Sequence, residues 1–117
     1  MDTNPKKTIF EKIATRILPA QFVYEDEICC AINDIQPQAR VHILVFPKKR
    51  IVRLSEAKAE DKNCLGHLLW VVQQIAEQQQ LEKGFRVVIN NGPLGGETVP
   101  HLHIHLLAGR HLNWPPG

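Results

Sequence analysis

The sequence predicts an α+β domain built on a largely antiparallel sheet. Apolar residues recur at helical spacing in two stretches, and short alternating or apolar runs between turn signals read as strands. The resulting order is helix, three strands, helix, two strands, which does not alternate as βαβ units do. At 117 residues, with 44% hydrophobic and 22% charged residues, the chain has the size and composition of one globular domain with its own core.

Residues 1–7 are polar and read as a loose N-terminus. Thr8 caps the first helix, with Glu11 at capping-box spacing. Ile9, Phe10, Ile13, Ile17 and Leu18 give that helix one apolar face, and Pro19 ends it. Residues 21–25 and 28–32 form a hairpin around a charged turn. Residues 33–40 make a loop containing Pro37, and residues 41–46 make a third strand.

Ser55 or Asp61 starts the second helix, whose stripe runs through Leu65, Leu68, Leu69, Val72, Ile75 and Ala76. Trp70 and Val71 widen the stripe, which suits a deep core helix and a subunit contact equally. Gly84 breaks the helix, and residues 85–89 form a fourth strand. Residues 91–99, rich in Gly and Pro, form a loop before a fifth strand over residues 101–108. Residues 109–117 form a tail whose prolines bar helix and central strand.

The formal charge of +2 is too small to argue for nucleic acid or a membrane surface as partner. Three cysteines are an odd count. Cys29 and Cys30 are neighbours on a strand and point to opposite faces, so a reducing, cytoplasmic location fits better than a disulfide framework. No apolar run approaches the ~18–20 residues of a membrane span, and the N-terminus lacks the apolar centre of a signal peptide.

The chemistry concentrates in His101-Leu102-His103-Ile104-His105. On a strand these imidazoles share one face, each roughly 6–7 Å from the next, while Leu102, Ile104 and Leu106 face the core. Rings so placed hold neutral and protonated forms side by side near neutral pH, as nucleophilic and acid–base catalysis require. The spacing alone suits phosphoryl chemistry and zinc binding equally. His42 alternates with Val41 and Ile43, and only the fold decides whether it fronts the same cleft.

The run His-apolar-His-apolar-His-apolar-apolar resembles the signature of the histidine triad family. Further segments are similar to its Hint branch: Tyr24-Glu25-Asp26, Asp34-Ile35, Val41-His42-Ile43-Leu44-Val45, Leu65-Gly66-His67-Leu68, Asn90-Asn91-Gly92, Gly95-Gly96 and the terminal Trp114-Pro115-Pro116-Gly117. The resemblance runs from Thr8 to the last residue. It implies a five-stranded antiparallel sheet with two helices per subunit, in a homodimer that joins two sheets into ten strands. It implies a purine nucleotide substrate, hydrolysis of nucleoside phosphoramidates, and neither metal nor cofactor.

By the same resemblance His103 is the nucleophile, His105 faces the phosphoryl oxygens, and His101 and His42 support them. Thr98 supplies a hydroxyl, and Asn90 with the amides around Gly95 and Gly96 meets the phosphate. Asp34 accepts the ribose hydroxyls, although taken alone it reads as a turn-former. Phe10, Ile13, Leu18, Ile32, Ile35 and Leu44 wall the base. Trp114 reaches the partner subunit. Departures from the pattern are Glu97 in place of Gln, Thr98 in place of Ser, Pro100 where an aromatic is common, and Ile32 in place of an aromatic.

Overall fold

The computed structural model describes residues 6–117; most of the expected loose N-terminus lies outside them. Helix α1 (Ile9–Ala14) is followed by β1 (Phe22–Glu25), β2 (Cys29–Asn33), β3 (Val41–Pro47), helix α2 (Lys62–Gln78), β4 (Arg86–Val88) and β5 (Ile104–Ala108). The strands form one five-stranded antiparallel sheet in the order β1-β2-β3-β5-β4.

The sheet is apolar on both faces. On one face Cys29, Ala31, Ile43, Val45, Ile104 and Leu106 pack under Leu68, Val71, Val72 and Ile75 of α2. On the other, Cys30, Ile32, Leu44 and Phe46 meet Phe10 and Ile13 of α1, with Ala14, Leu18, Ala20, Phe22 and Val99 partly buried against them. The side-chain alternation of a strand therefore assigns the adjacent cysteines to different cores. Cys29, Cys30 and Cys64 are all free thiols. Among the described residues no helix is long and apolar enough to cross a membrane.

Two helices were expected, and they prove unequal: α2 has 17 residues and α1 only six. The first helix does not run to Pro19. It stops at Ala14 because Arg16 turns into the left-handed region at φ 67°, and the amides of Ile17 and Leu18 fold back onto the Lys12 carbonyl. Arg16 then bonds Glu25 at 2.5 Å and lies over the Phe22 ring. Ile17 is consequently exposed rather than on a buried face.

On α2, Asp61 occupies the N-terminal capping position without capping through its side chain. Its carboxylate accepts instead from the Lys58 amide and from Lys49. Leu69, expected on the apolar stripe, and Trp70, expected to widen it, lie outside the core and are more than half exposed, while Val71 is buried.

The fifth strand is shorter than expected. His101, Leu102 and His103 precede it, and only His105 of the three lies within it. Continuing the β3–β5 register beyond the Val45–Ile104 pair would set Leu102 against Pro47, which has no amide to donate. The Leu102 amide bonds the Ile51 carbonyl instead.

Candidate active site

The site is assembled on the thinly covered face of the sheet. His42 on β3 and His105 on β5 are diagonal neighbours there, because the register pairs Leu44 with His105. Their rings meet directly, with Nε2 of His42 2.9 Å from Nδ1 of His105. The backbone amide of Gln38 donates to Nδ1 of His42 at 3.0 Å. That amide can only donate, so neutral His42 carries its proton on Nε2 and gives it to Nδ1 of His105. Neutral His105 in turn carries its own proton on Nε2.

His103 has the opposite tautomer. Its Nδ1 lies 2.7 Å from the His101 carbonyl, which can only accept. In the neutral ring the proton is therefore on Nδ1 and the lone pair on Nε2. The His103 and His105 rings are 5.1 Å apart between centroids. Two neighbouring imidazoles thus present a lone pair and an N–H respectively, each set by hydrogen bonding to the ring's other nitrogen.

The three histidines do not share one cleft. His101 is fully buried behind the other two. Its Nε2 donates to the Pro47 carbonyl at 2.8 Å and its Nδ1 accepts from the Thr8 hydroxyl at 2.8 Å. With both nitrogens engaged, and its ring packed against Phe10 and Phe46, His101 does not join His103 and His105 in a metal-binding trio. Thr8 also caps α1, with its hydroxyl accepting from the Glu11 amide. The helix cap and the histidine segment are therefore one hydrogen-bonded unit.

Burial is the largest cause holding the His42, His101 and His105 imidazoles below their ordinary range. His105 is pushed down to about 4, with the adjacent His103 and His42 adding to the effect of burial. It is neutral at pH 7, so its Nε2–H is a hydrogen-bond donor rather than a charged acid.

A cavity of about 480 Å³ opens in front of His103 and His105. Phe10, Ile13, Leu18, Ile32 and Leu44 form its apolar wall, with Asp34, Ile35 and Thr98 also lining it. Ile35 is 90% exposed, so it is a rim residue and not an enclosed wall. Asp34 turns its carboxylate to the Gln36 amide at 2.8 Å and toward Nε2 of His42 at 3.4 Å. The turn-forming role and the site position thus coincide in one residue. Asn90, Gly96 and Trp114 are not on the wall, and Trp114 is 82% exposed on the tail.

The glycine loop corrects one expectation. The amides of Gly95, Gly96 and Glu97 bond to the carbonyls of Gly92 and Pro93, so they are occupied in the turn. Among the described residues the amides of Thr98 and Val99, on the cavity wall, make no hydrogen bond. Sequence reasoning also missed Arg53. Its guanidinium grips Glu97 at 2.8 and 3.0 Å, and Glu97 accepts from the Gly92 amide at 2.8 Å. Arg53 and that amide hold the Glu97 carboxyl down at about 2. The negative charge that Glu97 brings beside the cavity is thereby paired. The only sequence signal for this pairing was an unmatched charge at Glu97, with the partner 44 positions away.

A HIT domain model matches residues 15–112. The chain belongs to the HIT family, on its Hint branch. An uncharacterized HIT-like protein of Synechococcus elongatus is 60% identical over 94% of this chain and 96% of its own length. A 14 kDa zinc-binding protein of Zea mays is 50% identical over 100% of this chain and 91% of its own. The adenylylsulfatase HINT1 of Arabidopsis thaliana is 46% identical, covering 94% and 76% respectively. Among solved structures, a HIT family hydrolase from Legionella pneumophila superposes with a TM-score of 0.93 at 40% identity, over 95% of this chain and 100% of that one. The HIT fold and a HIT-type nucleotide hydrolase activity follow for this chain.

Proposed function

We propose that this HIT hydrolase is a purine nucleoside phosphoramidase that cleaves the P–N bond through a nucleotidyl group on His103. The observation that carries the reading is the pair of opposed tautomers: a lone pair on His103 beside an N–H on His105, both facing a largely apolar cavity. Nε2 of His103 attacks the α-phosphorus, forming an N–P bond as the bond to the amine breaks. The amine leaves with a proton taken from water at the exposed mouth near Thr98. The Nε2–H of His105 and the amides of Thr98 and Val99 donate to the phosphoryl oxygens as charge builds there. Water then cleaves the nucleotidyl-histidine and releases the nucleoside monophosphate, so two easier steps replace one hard one. The base lies against Phe10, Ile13, Leu18, Ile32 and Leu44, and the ribose hydroxyls meet Asp34.

The Arabidopsis relative's name supports a second leaving group, sulfate, on the same adenylyl transfer. The maize relative is named for zinc binding, and the reaction as proposed draws on no metal ion. A homodimer in the cytoplasm completes the proposal. It is supported by the exposed Trp70 and Trp114 and by β4, a three-residue strand at the sheet edge with Val87 exposed.

Trapping tests the reaction. The protein is mixed with an adenosine phosphoramidate, quenched in mild base and digested. AMP mass on the peptide holding His103 is expected. Label on another residue, or turnover with no label, overturns the mechanism. Turnover of adenosine 5′-phosphosulfate and of a diadenosine polyphosphate, measured alongside, ranks the leaving groups, and the phosphoramidate is expected to lead.

A further inference from the structure

A second cluster of reactive side chains lies apart from the histidine cavity, where the β1–β2 turn meets α2. We propose that Asp26, Cys29 and His67 bind a divalent cation of the zinc class and clasp the hairpin to the helix. An Asp26 carboxylate oxygen, the Cys29 sulfur and a His67 ring nitrogen all lie within 4.8 Å of one another. Ligands on a tetrahedral zinc, ~2.0–2.3 Å from the ion, sit ~3.3–3.7 Å apart, so small side-chain shifts suffice to close such a site.

The donors are already divided as a metal site needs. Oδ1 of Asp26 is committed to the turn, accepting from the amides of Ile28 and Cys29 at 2.8 Å each. Oδ2 faces Nε2 of His67 at 2.6 Å and accepts from the Tyr24 hydroxyl at 2.7 Å. The hairpin can therefore keep its shape while Oδ2 takes the cation. The tyrosine bond orients the ligating carboxylate from outside, as supporting partners do in known metal sites. His67 and Asp26 are both about one quarter exposed, which leaves an entry path to the fully buried Cys29.

Charge favours the same reading. Binding takes the Cys29 sulfur as a thiolate, its proton passing to solvent, and takes His67 through Nε2 with the ring proton on Nδ1. A thiolate and a carboxylate then cancel the dication, and the buried unit is neutral. Mixed sulfur, nitrogen and oxygen donors select zinc over magnesium or calcium. Cys64, one helical turn before His67, packs against the core that contains Cys29 but lies outside the three-donor group. The adjacent Cys30 points to the other core and joins no such group. Asp34, His42 and His105 form a separate group in the cavity already described, and that group has no sulfur.

Sulfur makes the test specific. The full-length reduced protein is titrated with cobalt(II), then with zinc. The expected result is a near-ultraviolet thiolate-to-cobalt charge-transfer band that saturates at one ion per chain and is displaced by zinc. The band should survive His103→Ala and vanish in both Cys29→Ala and His67→Gln. His67 is partly exposed, so its variant keeps the fold, which circular dichroism checks, even if the Cys29 variant does not. A missing band in the unaltered protein, a band retained in His67→Gln, or one lost only in Cys64→Ala overturns the proposal. The outcome is independent of how the histidine cavity treats nucleotides.

Discussion

The two faces of the sheet are built from the same five strands and differ in what covers them. The α2 face is sealed by a 17-residue helix, and Ile43, Val45, Leu68, Ile75 and Leu106 are completely buried in it. The other face has a six-residue helix over part of its width, and the uncovered part is the cavity with two imidazoles in its wall. One face does the work of holding the fold, and the other keeps space open for a ligand. The histidines on the second face are oriented by hydrogen bonds with the surrounding backbone and with Thr8, and His101 and His103 also pack against Phe10.

That contrast can be broken by substitution. Replacing His103 with Ala is expected to lower turnover by at least about 10⁴-fold, as loss of an enzyme nucleophile does. Nucleotide binding and the melting temperature should barely move, which calorimetry and a thermal melt would check. A large loss of stability would mean that the open face also carries the fold. Leu68→Ala, on the sealed face, should do the reverse. It removes a fully buried side chain at a cost of about 2–5 kcal/mol, readable by denaturant unfolding.

Acid titration distinguishes the faces without mutation. Unfolded imidazoles titrate near 6.5, and His42, His101 and His105 titrate lower in the fold, His105 at about 4. Between those values the unfolded chain binds more protons, so stability is full above pH 6.5 and falls as the pH drops toward 4. Unfolding free energy measured across that range should slope downward toward acid. The slope should become shallower in His105→Gln.

Thr8→Val keeps the shape of the side chain and removes the hydroxyl shared by the helix cap and His101. An orphaned buried acceptor costs ~1–3 kcal/mol. Turnover should fall with stability here, in contrast to His103→Ala, because the His101 carbonyl that sets the His103 tautomer loses its support. The smallest expected effect is at Arg53. Arg53→Ala leaves Glu97 unpaired beside the phosphate position and should weaken nucleotide binding several-fold. Adding Glu97→Gln should restore it, and failure of that rescue would show that the pair does not act through charge.

The sequence by itself determined much of this molecule. The alternation within strands, the long α2 stripe apart from Leu69, and the Thr8–Glu11 cap follow from local periodicity and side-chain chemistry, and they stand in the structure. The resemblance carried by the histidine run brought His103, His105, Asp34, Thr98 and the apolar wall to one cavity. Tertiary structure decided the rest. It withdrew His101 behind its neighbours, because Pro47 ends the pairing of β3 and the Thr8 hydroxyl waits 93 positions away. It gave His42 a place on His105, which is set by strand register and not by spacing along the chain. It paired Arg53 with Glu97, and it gathered Asp26, Cys29 and His67 from a hairpin and a helix. Local pattern fixes which way a side chain points. Which groups then meet depends on long-range packing, and there hydrogen-bond partners and tautomers are chosen.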